Sequence, residues 1–260
     1  MSRLVLEDIN VKFGGISALS GVSVEVGAGE ICGMIGPNGA GKTTLFDVIS
    51  GVRRADRGRV VMDGVDITTM SPAERYWKGL HRTFQRVQTF GWLSVEDNVL
   101  VASEWRGGGG GVFGDLVALP RRRRIERERR ATVEATLERC GLTQIRSELA
   151  GSLPIGVSRM VEFARATVEP PSLLLLDEPA SGLDEDEAAR LGKEILAVRE
   201  ETGCAVLLVE HDANFIMEHC DRVVVLALGQ VLAEGSPDEI QANQEVRSAY
   251  LGEPSQDNGA

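Results

Sequence analysis

An apolar share of 43% and a charged share of 26% over 260 residues describe a soluble globular chain that can bury a substantial core, as one large domain or one carrying an insert. The formal net charge of −11 argues against nucleic-acid binding, which leaves a basic footprint, but not against a nucleotide, whose phosphates need only local positive potential. Cys32, Cys140, Cys204 and Cys220 are scattered beside apolar residues with no C-x-x-C pair, so they predict core-filling thiols in a reducing cytosol rather than a metal site.

The opening Met1–Asp8 lacks the apolar run of a signal peptide, and no stretch approaches the ~18 apolar residues of a membrane span, so any membrane role is expected to be peripheral. Residues 4–12 and 21–26 alternate apolar with polar, which predicts antiparallel strands near the start. Ile31–Ile35 is an apolar run that reads as a buried strand. It feeds Gly36-Pro37-Asn38-Gly39-Ala40-Gly41-Lys42-Thr43-Thr44, after which Leu45, Val48 and Ile49 fall at helical spacing and Gly51 supplies a stop. Val60–Gly64 predicts a strand ending in a turn. From about residue 85 to 165 the texture is charged and helical without convincing strands, and this stretch reads as an inserted helical subdomain. It contains the glycine run 107–111, expected to be a flexible loop, and the basic run Arg121–Arg130. Glu126 and Glu128 break that charge block, which favours a solvated helix over a contact with anionic lipid headgroups.

Strands alternate with helices again from Leu173–Leu176. A helix is predicted over 184–202, with Ala188, Leu191, Ile195 and Val198 on one face and Gly203 as its stop; strands follow at Ala205–Val209 and Val223–Leu228. Gly229-Gln230 turns into Val231–Ala233, and Ser236-Pro237-Asp238-Glu239 is a capping box that opens a final helix. Such alternation implies an α/β fold with a mostly parallel sheet.

The chemistry is concentrated at strand ends. Gly36–Thr44 fits G-x-x-x-x-G-K-[ST] between a strand and a helix, the context in which backbone N–H groups surround phosphate, Lys42 adds a point charge and the Thr43 hydroxyl ligates Mg²⁺. Leu173–Leu176 ends in Asp177 and Glu178. Successive strand residues point to opposite sides, so Asp177 is assigned to Mg²⁺ and Glu178 to the attacking water. Val206–Val209 ends in Glu210-His211, where the imidazole can bond a γ-phosphate or the developing transition-state charge. His81 and His219 have no such context and are expected to be structural or surface residues. Gln85 offers an amide to a metal or a water.

In this order these elements resemble the nucleotide-binding subunit of an ATP-binding cassette transporter, up to about residue 253, with 254–260 as a short polar tail. The resemblance implies a P-loop NTPase core with an N-terminal antiparallel β subdomain and the inserted helical subdomain over 85–165, within one domain spanning 1–253. It implies that Gly36–Thr44 is the Walker A motif, Gln85 the Q-loop, Leu173–Glu178 the Walker B motif, Ser181-Gly182-Leu183-Asp184 the D-loop and His211 the switch histidine. Phe13 matches the aromatic that stacks on adenine. The Phe13-Gly14-Gly15 opening, Arg82-Thr83-Phe84-Gln85, the long insert and the ending 233–253 are similar to the branched-chain amino acid uptake branch.

One stretch departs from the family. The signature Leu-Ser-Gly-Gly-Gln aligns with Leu153-Pro154-Ile155-Gly156-Val157, where only Leu153 and Gly156 match. In the family this stretch serves the nucleotide of the opposite subunit, and Pro154 has neither hydroxyl nor N–H to offer. Gly156 and the helix start behind it still have backbone N–H groups. The resemblance thus implies ATP and Mg²⁺ as ligands and a second cassette as partner, a homodimer or, favoured by the weak signature, a heterodimer. It further implies two transmembrane permease subunits, a solute-binding protein acting indirectly, no nucleic acid, and a cytoplasmic place on the inner face of the membrane. The competing expectations are a cassette ATPase outside transport, or an ATP-gated regulatory module with weak hydrolysis.

Overall fold

Alternating apolar positions near the start and unbroken apolar runs later on sort the strands into two sheets. The protein is represented by a computed structural model describing residues 2–103 and 119–251. The first sheet is antiparallel with strand order β2-β1-β4-β5, built from β1 (Ser2–Phe13), β2 (Ile16–Gly27), β4 (Arg57–Met62) and β5 (Val65–Asp66). Val22, Val24 and Val26 of β2 are buried and their neighbours are not, as expected of a sheet with one wet face.

The second sheet has the order β10-β9-β3-β8-β7-β6, from β3 (Ile31–Ile35), β6 (Leu80–Arg82), β7 (Leu173–Asp177), β8 (Ala205–Val209), β9 (Arg222–Ala227) and β10 (Gln230–Gly235). All its pairings are parallel except β9 with β10. Every residue of β7 and β8 is buried, which is why these strands read as continuous apolar runs rather than alternating ones. Because β3, β8 and β7 are consecutive neighbours, their carboxyl ends, and the loops that follow them, share one edge of the sheet.

The helices are α1 (Lys42–Ser50), α2 (Pro72–Trp77), α3 (Val95–Ser103), α4 (Leu119–Arg139), α5 (Ile155–Thr167), α6 (Glu185–Thr202), α7 (Ala213–His219), α8 (Pro237–Ala242) and α9 (Gln244–Leu251). The predicted capping devices are present. Gly51 and Gly203 end α1 and α6 in the left-handed conformation, and Ser236 and Glu239 form the box that opens α8. A further box, not anticipated from the sequence, joins Asp184 to Glu187 at the start of α6. Along α6, Leu191, Ile195 and Val198 are buried, each worth roughly 1.5–3 kcal/mol of transfer free energy. The structure adds α2, the two-residue β5, the three-residue β6, α7 and α9 to the sequence expectation. The last is set off from α8 by Asn243, whose side-chain oxygen accepts from the N–H groups of Glu245 and Val246.

Between β6 and β7 the described residues form helices and turns with no strand. Val95, Val99, Val133, Leu137 and Phe163 from this stretch share one hydrophobic cluster with Leu174, Leu176, Val206 and Leu208 of the parallel sheet. Arg124 with Glu128 and Arg130 with Glu126 are exposed pairs four residues apart on α4, the pattern of a solvated helix face. The glycine run 107–111 and the tail 254–260 lie outside the described residues. All four cysteines are buried and unpaired, and burial pushes the Cys32 thiol up to about 12 and that of Cys140 to about 11, so both stay protonated and inert. His81 and His219 are buried, the first bonded through Nδ1 to the Ala166 carbonyl at 2.7 Å and the second edge-on to Phe215.

Candidate functional site

The loop after β3 is pinned from beneath. A Cβ on Gly36 would stand 2.1 Å from the Leu226 carbonyl oxygen, and Gly41, at φ +105°, leaves no room for one against Ala18. Gly41 caps α1 with no side-chain hydrogen bond, and the first turn carries no acidic residue, so the positive end of the helix is open to an anion. Asn38, Gly39 and Thr43 are exposed around that opening. Lys42 is buried and donates to the carbonyl oxygens of Gly36 (2.5 Å) and Pro37 (3.1 Å). Burial lowers its ammonium pKa, and the nearby charges of Glu178 and Asp177 oppose that shift, so the loop and the strand-end acids lie within electrostatic reach of each other.

Glu178 stands where the chain leaves β7, at φ +50°, with its N–H bonded to the Val209 carbonyl at 2.9 Å. Its carboxylate is the meeting point of the site. One oxygen lies 2.8 Å from His211 Nε2 and the other accepts from the Gln85 amide at 3.0 Å. Three residues singled out from the sequence on separate strands and loops therefore form one contact group.

Asp177 faces the other way and is buried; burial raises its carboxyl pKa and Arg82 opposes the rise. Arg82 donates to Asp177 at 3.2 Å, to Asp47 at 2.7 Å and to Ser50 at 2.8 Å. The sequence reading passed over Arg82 as a flank of Gln85, since nothing local reveals that its partners lie on α1 and β7.

Among the described residues no cluster of three or more His, Cys, Asp or Glu could hold a metal alone. The oxygen donors assigned to Mg²⁺ do suit it. Asp177 supplies one carboxylate, Thr43 an exposed hydroxyl, and Gln85 has its amide oxygen to offer while its nitrogen bonds Glu178. That sparse set fits an ion that keeps waters and takes its remaining ligands from phosphates.

The sequence matches the family profile described as ABC transporter over residues 19–181. The chain belongs to the ABC transporter family. A profile described as Branched-chain amino acid ATP-binding cassette transporter matches residues 230–255. Among curated relatives, the high-affinity branched-chain amino acid transport ATP-binding protein BraF of Pseudomonas aeruginosa is 38% identical, with 97% of this chain and 100% of BraF covered. LivG of Escherichia coli K12, described in the same words, is 36% identical over 96% of this chain and 98% of its own. The lipopolysaccharide export system ATP-binding protein LptB of Haemophilus influenzae is 32% identical over 97% and 98%. Of the solved structures, a nucleotide-free ATP-binding cassette from an ABC transporter and the ADP conformation of MJ1267, an ATP-binding cassette of an ABC transporter, each align at a TM-score of 0.82 and 32% identity, covering 97% of this chain and all of the matched chain. As a member of this family the chain is a nucleotide-binding ATPase.

Within the cassette, two residues that sequence reasoning missed hold the loop around Gln85. Arg159 on α5 donates to the carbonyl oxygens of Phe84 (3.2 Å) and Gln85 (2.7 Å), and Glu162, one turn on, accepts from the N–H groups of Phe84 and Gln88 at 3.4 Å each. Both are buried, and the signal available was two opposite charges on the apolar stripe of a helix.

Other sequence-predicted residues lie apart from the Glu178 group. Phe13 is half-exposed at the end of β1, with the Arg53 guanidinium 4.1 Å over its ring. Leu153 packs on the core. Pro154 is the N-cap of α5 and makes no side-chain cap bond. A Cβ on Gly156 would lie 2.1 Å from a carboxylate oxygen of Glu187, so its lack of a side chain is what allows α5 to approach the start of α6. Asp184 is occupied as the N-cap of α6, accepting from Glu187 N–H at 2.8 Å.

Proposed function

We propose that this cassette hydrolyses ATP to drive uptake of branched-chain amino acids or related small polar solutes through a separate permease. The observation that carries the hydrolytic part is the convergence of Gln85 and His211 on the carboxylate of Glu178, next to the Lys42 loop. In this reading Lys42 and the backbone N–H groups of residues 38–44 hold the phosphates, Phe13 stacks on adenine, and Thr43, Asp177 and Gln85 serve Mg²⁺. Glu178 takes the proton of the attacking water, and His211 and Gln85 keep it aimed. Catalysis is then positioning and charge stabilisation.

The match of residues 230–255 and the identities to BraF and LivG favour import of amino acids, whereas the 32% identity to LptB is the point against reading a solute from the cassette alone. Leu153, Gly156 and Asp184 make their contacts with the core, Glu187 and the start of α6 rather than with the Glu178 group, which supports a role toward a second cassette, hetero- rather than homodimeric because Pro154 lacks a hydroxyl. Two permease subunits, with a solute-binding protein beyond them, complete the assembly. Among the described residues no helix is long and apolar enough to cross a membrane, so the chain would sit on the inner face of the membrane through its permease. Isolation of the chain with a multispanning protein, and leucine uptake that depends on both, tests this reading; a cassette that purifies without any membrane protein and hydrolyses ATP at full rate alone would sink it.

Two substitutions probe the phosphate contacts. Lys42→Ala removes a charge-assisted donor worth about 1.5–3 kcal/mol, so ATP affinity is expected to fall roughly 10- to 100-fold in an equilibrium binding titration. Pro154→Ser restores a hydroxyl at a position whose backbone (φ −56°, ψ 158°) already suits an N-cap serine. In a mixed assembly it is expected to raise turnover at the partner's site and to stabilise α5 by about 1 kcal/mol. An unchanged ATPase rate would count against a site weakened by Pro154.

A further inference from the structure

Glu210, between β8 and His211, is 3% exposed, yet the reading above gives it no role. Both of its oxygens are used, and on different loops. One accepts from the Ala180 N–H at 2.6 Å, the other from the His211 N–H at 3.1 Å. Asp177 of β7 pairs with Val209 of β8, so the two strands end side by side and their loops leave together. Beyond that point strand pairing stops, apart from the Glu178 N–H on Val209. The Glu210 carboxylate is the next tie between the loops, one residue past His211's strand end and two past Glu178.

The loop needs such a tie. Glu178 is held at φ +50°, a backbone region that costs a residue with a side chain free energy unless its surroundings enforce it. The turn behind it is closed by Ser181 N–H on the Glu178 carbonyl and Leu183 N–H on the Ala180 carbonyl, so fixing Ala180 fixes the turn from which the Glu178 side chain projects. On the other loop, the same carboxylate fixes the backbone of His211, and Asp212 caps α7 directly after it. The 2.8 Å contact between Glu178 and His211 thus spans two loops whose separation is set by one buried carboxylate. Burial raises the Glu210 pKa and the backbone donors around it pull the other way.

We propose that Glu210 is a positioning residue for ATP hydrolysis, tying the loop after Glu178 to the loop of His211 so that the two side chains meet. This rests on the reading of Glu178 and His211 as the hydrolytic pair. The chemistry of the tie is specific: a carboxylate accepts at both oxygens, whereas an amide of the same shape turns an NH₂ toward one of the two N–H donors. The loss should fall on kcat, because the phosphate loop and Lys42 take no contact from Glu210.

The test is steady-state ATPase of the full chain in its assembled form, with kcat counted per site titrated by a fluorescent ATP analogue so that unfolded protein drops out. Glu210→Gln is expected to lower kcat about tenfold, with KM unchanged within about twofold, since misplacing a catalytic group by a fraction of an ångström is felt mainly in the transition state. Glu210→Asp, which keeps both oxygens on a shorter arm, should recover part of that loss and stands in if the glutamine variant binds no nucleotide. In a His211→Ala background the same change should cost no more than about twofold, as residues acting as one unit are not additive. A Glu210→Gln enzyme with wild-type kcat, a rise in KM alone, or a full second loss in the His211→Ala background would overturn the proposal. If Glu178→Gln and His211→Ala themselves leave kcat intact, it is the hydrolytic reading that fails, and this inference with it.

Discussion

Glu178→Gln is expected to slow phosphate release by roughly 10²- to 10⁴-fold while ATP still binds, the range that a positioned general base contributes. The replacement amide keeps the shape of the side chain and can still reach His211 and Gln85, now 2.8 and 3.0 Å from the carboxylate. What disappears is the group able to take a proton. Binding should persist because the open end of α1 and the Lys42 ammonium are untouched, and removing a negative charge near bound phosphate can only favour ATP. Single-turnover hydrolysis together with retention of labelled ATP separates the two effects. Turnover within about tenfold of wild type would show that another group accepts the proton.

The second large effect is on stability. Arg82→Met removes a guanidinium that is 7% exposed and leaves Asp177, 4% exposed, and Asp47, 30% exposed, without their shared partner. Breaking a buried pair in this way costs about 3–5 kcal/mol, and the partial exposure of Asp47 places the expectation near the lower end. For a chain of this size, about 3 kcal/mol corresponds to a loss of roughly 6–12 °C in Tm. The deficit should depend on pH. Burial already raises the Asp177 carboxyl above its ordinary 3.8, with Arg82 opposing, so the variant's carboxyl rises further. A carboxyl whose folded pKa is raised binds its proton more tightly when folded, so stability returns as pH falls through the raised value toward 3.8. The melting temperature of Arg82→Met relative to wild type, without nucleotide or Mg²⁺, should therefore recover as the pH is lowered toward 3.8; a gap that widens on acidification would remove Arg82 as the counter-charge.

Local features of this protein are readable along the chain. The phosphate loop announces itself because its glycines, lysine and threonine must follow one another between a strand and a helix. The helix boundaries at Gly51, Gly203 and Ser236 are legible because a cap satisfies backbone groups within its own turn. The short β6 and the helix α9 were not legible, since three strand residues carry no periodicity and α9 follows α8 after a single residue.

The amino-acid sequence by itself determined which residues stand at the ends of β3, β7 and β8, and hence that this chain handles a nucleoside triphosphate. Only the tertiary structure decided that Gln85 and His211 close on Glu178, that Arg82 pairs with Asp177, and that Arg159, Glu162 and Glu210 hold the surrounding backbone. The physical reason is that a strand or a loop is encoded by its own residues, whereas these contacts depend on the lateral order β3-β8-β7-β6. That order is chosen by burying every strand face at once, a property of the whole core that no single segment carries.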